Sequence, residues 1–333
     1  MILNNKTILI TGGAGFIGHH LIEGVLKRTD WQIVIIDRLD MSGNTKRLTD
    51  IEIWEKEKHR VKFIWWDLKS EINPQIRKEI GEVDYIWHLA ASSHVNRSIE
   101  NPLSFVMDNV VGTCNLLNYA RTLNNLKLFI NFGTDEVFGP ALEGVFYKEW
   151  DRYKSGNPYS ATKAGAEELC MAFANTYKIP IICTHTMNVF GERQHPEKFI
   201  PLVIKKVLSG ENVLIHADKT RTKSGTRMWI HARNVYKALL FLTERGEIDE
   251  KYNVVGEKEV SNLEMAQFIA KVIGKELKYE MVDFHSSRPG HDLRYSLDGT
   301  KMKDMGWELP KTFEQSLEKT IKWTLENKKW LNI

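Results

Sequence analysis

Short apolar runs alternate with amphipathic stretches along the first half of the chain. Runs of apolar residues predict buried strands at 7–10, 32–36, 61–66, 85–89, 126–132 and 179–184. Apolar residues at helical spacing predict helices between them, at 20–27, 102–123 and 159–177. Short buried strands separated by helices are typical of a parallel sheet covered on both faces. The pattern therefore predicts an α/β fold with a Rossmann-type, doubly wound parallel sheet.

The second half is less regular and predicts a smaller C-terminal α/β substrate domain. Helices are predicted at 196–208, 235–245 and 312–325, and strands at 213–216 and 251–255. Ser261 and Glu264 form a capping-box pattern that begins another helix. We place the main transition near Asn188, with a partial return to the sheet later in the chain. The expected NAD-binding domain comprises residues 1–187 plus about 232–257, and the expected substrate domain comprises 188–231 plus 258–333.

The charge balance, the cysteine content and the absence of certain motifs limit the binding partners, cellular location and metal sites that we expect. The chain has 46 basic and 43 acidic side chains, and a net charge of +3 does not indicate a nucleic-acid or membrane partner. The three cysteines form no CxxC pair, and no stretch approaches the roughly 18 apolar residues of a membrane span. The chain start has no signal-peptide pattern, so we expect a cytoplasmic protein. Without an HExxH motif or a Cys/His cluster, no metal site is expected.

A glycine-rich loop directly follows the first predicted strand. Residues 11–18 read TGGAGFIG, in which Gly12, Gly15 and Gly18 have the spacing of a dinucleotide-binding turn. Such glycines permit a tight turn and a close approach of the backbone to a pyrophosphate at the helix N-terminus. Asp37 ends the second strand, where a carboxylate binds the adenosine ribose hydroxyls and repels a 2′-phosphate. We therefore expect NAD rather than NADP, although the neighbouring Arg38 weakens this preference.

Tyr159 and Lys163 form a YxxxK pair on a predicted helix. At a spacing of four residues, both side chains lie on one helix face. A lysine about 4 Å from the phenol is expected to lower its pKa by about three units at an effective dielectric near 20. The spacing alone is common on surface helices. Behind a nucleotide-binding loop it predicts a catalytic base.

Thr134, Asp135 and Glu136 follow the fifth predicted strand. Ligands of open α/β sheets bind beyond the carboxyl ends of the strands, so these side chains are expected to face a substrate. A Thr hydroxyl can polarise a sugar oxygen, and two adjacent carboxyls can divide acid and base work. From position alone, a helix-capping Asp beside a solvated Glu is an equally good interpretation.

Taken together, these motifs resemble one enzyme family over nearly the whole chain. The chain resembles extended short-chain dehydrogenases/reductases of the nucleotide-sugar epimerase/dehydratase type, and more narrowly the dTDP-glucose 4,6-dehydratases. Further motifs that carry the resemblance are Trp66-Asp67-Leu68, the run from His88 to Val95, the run from Thr134 to Gly139, Asn188, the run from Pro196 to Pro201, and Arg288-Pro289-Gly290-His291-Asp292. The Thr-Asp-Glu triplet discriminates most, because related epimerases and decarboxylases carry other residues at the Asp position.

The resemblance implies roles for particular residues. Catalysis is expected to involve Thr134, Asp135, Glu136, Tyr159 and Lys163. NAD is expected to contact Gly12, Gly15, Phe16, Ile17, Gly18, Asp37, Asp67, Leu68, Ala90, Ala91, Tyr159 and Lys163. A nucleotide-diphosphate hexose is expected to contact Ser93, His94, Asn188, Glu197, Lys198, Arg227, Asn253 and His291. The family also implies a homodimer that pairs through the helices at 102–123 and 159–177.

Several positions depart from the usual dehydratase pattern. Gly133 replaces a serine, Ser92 stands where these enzymes usually have a glutamate, and Asn96 stands where they have an aspartate. The common YGDG turn and RDW motif are absent, and the longer basic stretch 218–226 precedes Arg227-Met228-Trp229 instead. Because this region lies near the nucleotide in the family, the base of the substrate stays open between thymine, uracil and another base.

The resemblance implies a redox-neutral dehydration of an NDP-glucose. Tyr159 removes the proton of the sugar 4-hydroxyl while NAD takes the C4 hydride, and Thr134 hydrogen-bonds the new ketone. Glu136 then removes the C5 proton, Asp135 protonates the departing 6-hydroxyl, and the hydride returns to C6. The alternatives are another nucleotide-sugar enzyme, such as a C4-epimerase or UDP-glucuronate decarboxylase, and a non-enzymatic NAD-binding module. A deoxysugar route such as rhamnose biosynthesis is the commonest expectation for these enzymes.

Overall fold

The computed structural model describes residues 5–283 and 293–332. The described residues form twelve strands. In chain order they are β1 (Thr7–Thr11), β2 (Gln32–Asp37), β3 (Val61–Trp65), β4 (Tyr85–His88), β5 (Leu128–Thr134), β6 (Ile181–Thr186), β7 (Asn188–Phe190), β8 (Val213–Ala217), β9 (Thr226–His231), β10 (Lys251–Val254), β11 (Glu259–Ser261) and β12 (Tyr279–Asp283).

Helices cover these strands and connect them. The α-helices are α1 (Phe16–Arg28), α2 (Lys46–Thr49), α3 (Trp54–Glu57), α4 (Pro74–Ile80), α5 (Val95–Glu100), α6 (Pro102–Phe105), α7 (Gly112–Ala120), α8 (Pro158–Tyr177), α9 (Phe199–Ser209), α10 (Ala232–Arg245), α11 (Asn262–Ile273), α12 (Thr300–Asp304) and α13 (Phe313–Glu326). Three short 3₁₀-helices span Lys58–Arg60, Asp135–Phe138 and Lys328–Leu331, and one π-helix spans Val106–Val111.

Seven strands form one parallel sheet in the order β10-β6-β5-β4-β1-β2-β3. The strand order reverses at β1, which pairs with β2 on one side and with β4 on the other. In doubly wound sheets, ligands bind at the carboxyl edge beside such a reversal. Apolar clusters fill both faces of the sheet, as a buried parallel sheet requires. The predicted Rossmann-type α/β fold is confirmed.

Two small sheets lie in the second half of the chain. One has the strand order β11-β9-β7, and the other pairs β8 with β12 in parallel. They share an apolar core with helices α9, α11 and α13, centred on Ile215, Met265 and Leu317. β10 joins the large sheet at its edge, and α10 packs on α1. The division into two domains at the expected boundaries stays a prediction.

The predicted helix at 102–123 is wrong as one continuous α-helix. The structure has α6, the π-helix and α7 in its place, because the chain winds more widely over Val106–Val111. Apolar spacing does not reveal this change; within the π-helix, Asp108 and Asn109 form polar contacts with residues outside the helix. Most other predicted elements differ from the observed ones by a few residues at their ends, as is usual for predictions from pattern.

Gly133 gives a test of how tightly β5 packs against β6. A Cβ atom at this position would come closer to the carbonyl oxygen of Thr184 than any non-bonded contact allows. Because that oxygen belongs to the paired strand backbone, Gly133→Ala should destabilise the protein by about 1–3 kcal/mol. We expect a lower melting temperature in thermal denaturation.

Gly165→Ala is the matched control for this substitution. Gly165 lies inside α8, and its added Cβ would meet only a methyl group of Val110, at 3.5 Å. Alanine should there stabilise the helix by up to about 1 kcal/mol. A Gly133→Ala melting temperature equal to that of the parent would show that β5 can shift to accept a side chain.

Candidate active site

One large cavity opens at the carboxyl edge of the seven-stranded sheet. Its volume is about 650 Å³, and it extends from the glycine loop to the small sheets. All of the predicted catalytic and cofactor residues line it, together with Ser93, His94, Asn188, Glu197, Lys198 and Arg227 from the predicted substrate set. The fold therefore brings residues from widely separated parts of the chain to one cleft.

The glycine loop packs tightly between β1 and β4. Gly12 has a φ of +71°, and a Cβ atom there would lie 2.9 Å from the backbone nitrogen of Ala90. A Cβ atom on Gly18 would clash with the carbonyl oxygen of Gly12, so the first turn of α1 requires glycine. Gly15 is the N-cap of α1 and makes no side-chain cap, which leaves the amide groups of this helix end directed at the cleft.

A hydrogen-bond chain supports this loop from below. The Thr11 hydroxyl accepts bonds from the backbone amides of Leu89 and Ala90, both at 3.1 Å, so its proton is directed to His88 Nδ1 at 2.7 Å. His88 Nε2 then donates to Thr113 at 2.9 Å. This tautomer is inferred from the partners. Burial lowers the pKa of His88 to about 3, so the imidazole stays neutral in the chain.

Asp37 lies in the cavity wall at the end of β2. Its Oδ2 accepts a bond from the Ala14 amide at 2.9 Å, and its Oδ1 accepts one from the Leu39 amide at 2.8 Å. Burial raises the pKa of this carboxyl, and the two amide bonds oppose the rise. The carboxyl group is thus fixed in orientation beside the glycine loop. The loop, the open helix end and this acid together fit an adenine dinucleotide with an unphosphorylated ribose.

The predicted tyrosine lies in the first turn of α8. Asn157 caps this helix by accepting the Ser160 amide at 2.8 Å, with Pro158 at the first helical position, and the Tyr159 amide donates to Ser98 Oγ at 3.1 Å. Thr134 opposes the rise in the pKa of the Tyr159 phenol. Two of the predicted catalytic groups therefore act on each other.

The expected lowering of the Tyr159 pKa is wrong for this structure. Burial and the charge of Glu136 raise the pKa of the phenol well above its ordinary value. The Lys163 ammonium does not offset this effect; it donates to the carbonyl oxygen of Phe132 at 2.7 Å. Burial also lowers the pKa of Lys163. The spacing of the pair predicted the shared face but not the balance of burial and neighbouring charges.

Asp135 and Glu136 are adjacent carboxyl groups in the buried wall of the cavity. Burial raises the pKa of Asp135 to about 6, and burial and Asp135 together raise that of Glu136 to about 7. Thr134 Oγ1 lies 3.1 Å from Asp135 Oδ1, and Asn157 donates to Glu136 Oε2 at 3.3 Å. Asp135 Oδ2 is buried without a hydrogen-bond partner among the described residues. Near neutral pH this pair holds about one proton, as acid–base chemistry requires.

The predicted substrate residues differ in their placement. Arg227 Nη1 donates to the carbonyl oxygens of Thr226 and Leu293 at 2.6 and 2.7 Å, which holds its guanidinium over the Tyr295 ring. Lys198 precedes α9 as its N-cap, and Glu197 pairs with Arg97 at 3.2 Å.

Asn253 does not lie at the cavity. It is fully buried on β10, where its side chain bonds His185, Tyr147 and Asp298. This placement contradicts its predicted substrate contact, because its side chain is enclosed by these partners and does not reach the cavity. His291 lies outside the described residues.

Comparison with known proteins assigns the chain to a family. A family profile described as GDP-mannose 4,6 dehydratase matches residues 9–320. The chain belongs to this family. The predicted resemblance to nucleotide-sugar dehydratases is thereby confirmed.

Relatives over nearly the full chain carry dehydratase names. The chain is 35% identical to the dTDP-glucose 4,6-dehydratase of Salmonella typhimurium, covering 98% of this chain and 94% of the relative. It is 36% identical to a trifunctional UDP-glucose 4,6-dehydratase/3,5-epimerase/reductase of Arabidopsis thaliana, covering 98% of this chain but only 48% of that protein. The crystal structure of dTDP-glucose 4,6-dehydratase from Streptomyces venezuelae with NAD bound is similar, with a TM-score of 0.86, 30% identity, and coverage of 97% of this chain and 98% of that one.

Sequence reasoning missed several residues in and around the site, among them Arg47, Asn109 and Asn157. Arg47 is buried at the cavity wall and donates to the carbonyl oxygens of Ala14 and Ser42, which ties the glycine loop to the following loop. Asn109 and Asn157 contact the catalytic helix. Only Asn157 had a readable signal, since Asn followed by Pro is a helix-start pattern. Within the described part of the chain, no group of His, Cys, Asp and Glu could hold a metal, and no helix could cross a membrane.

The acid pair predicts how stability depends on pH. Folding raises the pKa of Glu136 from 4.5 to about 7, so the folded state holds more protons than the unfolded chain over this range. The contribution of Glu136 to the free energy of unfolding should therefore fall as pH rises from about 4 to 7, whereas the buried histidines with lowered pKa values, such as His88, contribute in the opposite direction. Glu136→Gln removes the buried charge and should stabilise the protein at pH 8 by on the order of 2 kcal/mol, with little effect at pH 5.

Thermal denaturation at both pH values, without added nucleotide, checks this expectation. Glu52→Gln serves as the control, because that side chain is 86% exposed and should leave the melting temperature unchanged at either pH. A Glu136→Gln gain of the same size at pH 5 and pH 8 would contradict the assignment of a raised pKa to Glu136.

Proposed function

We propose that the protein is an NAD-dependent nucleotide-sugar 4,6-dehydratase, a hydro-lyase that converts an NDP-glucose to the NDP-4-keto-6-deoxyglucose. Family membership and full-length relatives of that name support this function. The observation that carries it is the adjacent pair Asp135 and Glu136, whose pKa values are both raised toward neutrality, beside Thr134 and Tyr159. Loss of water needs one group to take a proton from C5 and another to give a proton to the 6-hydroxyl. The pair supplies both.

The cofactor site favours NAD. Gly12, Gly15 and Gly18 leave room for a diphosphate at the start of α1, and Asp37 offers a fixed carboxylate to a ribose. A bound NAD would supply the hydride acceptor for C4 and the hydride donor for C6, and it would add a positive charge to the site. The remaining cofactor contacts follow the predicted set, from Phe16, Ile17, Asp67 and Leu68 to Ala90 and Ala91.

The first chemical task falls to Tyr159 and Thr134. The phenol of Tyr159 must be ionised to take the proton of the sugar 4-hydroxyl, and the positive charge of bound NAD would lower the pKa that burial and Glu136 raise. Thr134 hydrogen-bonds the sugar oxygen as it becomes a ketone. Both groups are buried, so their hydrogen bonds act in a medium of low dielectric. Lys163 supplies a fixed cation to the same face of α8.

The second task falls to the acid pair. The 4-ketone acidifies C5, Glu136 removes the C5 proton, and Asp135 protonates the departing 6-hydroxyl. With pKa values of about 6 for Asp135 and about 7 for Glu136, the pair shares about one proton near neutral pH, and without substrate that proton lies mainly on Glu136. The assigned roles require the proton to lie on Asp135 when substrate is bound. A C4-epimerase or UDP-glucuronate decarboxylase expels no 6-hydroxyl and has no use for this pair. A non-enzymatic NAD-binding module has no use for Tyr159 as a base.

The substrate is held at the far end of the cavity in this proposal. Ser93, His94, Asn188, Glu197, Lys198 and Arg227 line that region and suit a nucleotide diphosphate. The base is thymine or uracil, which are the bases in the names of the relatives.

We also propose a cytoplasmic homodimer that pairs through α8 and the segment from α6 to α7. Ile99, Leu103 and Val106 are exposed apolar residues on that side.

Turnover of a defined substrate tests the function. The purified protein is incubated separately with dTDP-glucose and UDP-glucose, first without and then with added NAD. We expect a product that has lost one water, seen by mass and by the alkali-induced absorbance of a 4-keto-6-deoxy sugar. The preferred substrate identifies the base. Absence of product from both substrates with NAD supplied would overturn the proposal in favour of another nucleotide-sugar reaction.

Glu136→Gln tests whether Glu136 acts in the loss of water and not in the oxidation of C4. The variant should still oxidise C4, seen as the absorbance of reduced nicotinamide, while loss of water slows by about 10²–10⁴-fold because the C5 base is gone. Glu168→Gln is the control, because its side chain is 66% exposed and should leave both steps unchanged. If Glu136→Gln dehydrates at the parent rate, Glu136 is not the base.

A further inference from the structure

The guanidinium of Arg38 is held by carboxylates on several sides. Its Nη1 and Nη2 lie 2.5 and 2.8 Å from the two carboxylate oxygens of Asp108. Its Nε and Nη2 also bond Asp40, at 3.2 and 2.9 Å, and Asp67 lies 3.5 Å from Nη1. All three nitrogens of the guanidinium are thus engaged, and the contact with Asp108 is bidentate.

Asp108 reaches Arg38 from a distant part of the chain. It lies in the first turn of the π-helix, and its side chain is only 8% exposed. The Ser92 hydroxyl donates to its Oδ2 at 2.6 Å. Burial alone would raise the pKa of Asp108, but the hydrogen bonds from Arg38 and Ser92 bring it below its usual value. Arg38 and Asp108 therefore form an ion pair in which the carboxylate is ionised and has little contact with solvent.

Arg38 is the neighbour of Asp37, which faces the expected adenosine ribose. A carboxylate at the end of this strand selects an unphosphorylated ribose, whereas an arginine nearby accommodates a 2′-phosphate. Asp37 thus favours NAD, whereas a free Arg38 would favour NADP. We propose that Asp108 is a specificity-determining residue, which holds Arg38 in the ion pair and so removes the cation that would bind the 2′-phosphate of NADP. This inference rests on the proposed NAD site.

The competition at Arg38 is between two anions. A 2′-phosphate could bind Arg38 only by displacing the carboxylate of Asp108 from both Nη atoms. Asp108 would then be left as a largely buried anion that keeps the hydrogen bond from Ser92 but has lost its ion pair with Arg38, which is costly. Asp37 repels the phosphate at the same time. Two carboxylates from different elements therefore act together against NADP.

Binding of both cofactors to stripped protein tests the inference. Calorimetric titration gives Kd values for NAD and NADP with the parent, Asp37→Ser, and Asp37→Ser combined with Asp108→Asn. Asp37→Ser removes the repulsion but leaves Arg38 paired. Adding Asp108→Asn should release Arg38. The Kd for NADP should then fall by a further factor of about ten, as expected for one charge-assisted contact.

Two controls separate specificity from a structural role. Adding Arg38→Met to the double variant should abolish the gain. Replacing Asp108→Asn by Asp40→Asn should give less than about a threefold gain, because Asp40 is the more exposed partner and makes no bidentate contact. If Asp108 only clamps the π-helix, its loss will weaken NAD and NADP equally, and the ratio of the two Kd values will not change.

One further measurement needs no change at Asp108. In the Asp37→Ser background, adding Arg38→Met should change the Kd for NADP by less than about threefold, since Arg38 is already occupied. A loss of about tenfold or more there would overturn the inference. Failure of the parent to bind either cofactor would count against the proposed function instead, so the two failures are distinguishable.

Discussion

All seven strands of the large sheet run parallel, and this constraint places the carboxyl end of every strand at one edge. At the reversal beside β1, the glycine loop lies against the backbone that follows β4, with Gly12 close to Ala90. A side chain there would separate the two strands. Hydrogen bonds between uncharged side chains connect Thr11 to His88 and His88 to Thr113, and they hold the ends of β1 and β4 together at the same place. Every candidate residue of the site is positioned relative to this edge.

The acid pair of the resulting site lowers the stability of the folded protein. Asp135 is buried with the half-buried Glu136 beside it, and Asp135 Oδ2 lacks a hydrogen-bond partner within the described ranges. Such a pair is unfavourable for folding when both groups are ionised. It persists because the end of β5 and the cap of α8 fix both side chains, through Thr134 and Asn157. The same burial that weakens the fold brings the two pKa values near neutrality, where they are useful for proton transfer.

The sequence predicted what depends on local pattern. The strands, the glycine loop, Asp37 and the pairing of Tyr159 with Lys163 on one helix face all follow from spacing. The π-helix, the burial of Asn253 and the raised pKa of Tyr159 did not, because each depends on contacts between distant elements. The base of the substrate stays open for a related reason. The loop at 218–226 differs from the usual family pattern, and none of its residues lines the cavity.

The departure at position 92 becomes intelligible through the π-helix. Asp108 and Asn109 are adjacent, yet Asp108 bonds Arg38 at the expected adenosine end, and Asn109 bonds Thr162, which lies between Tyr159 and Lys163 on α8. Both also bond Ser92, whose hydroxyl donates to Asp108 and whose amide donates to Asn109. A glutamate at position 92 would place a second carboxylate against Asp108, and the two like charges would repel each other. A small hydroxyl residue there is therefore the partner that an acidic residue at position 108 requires.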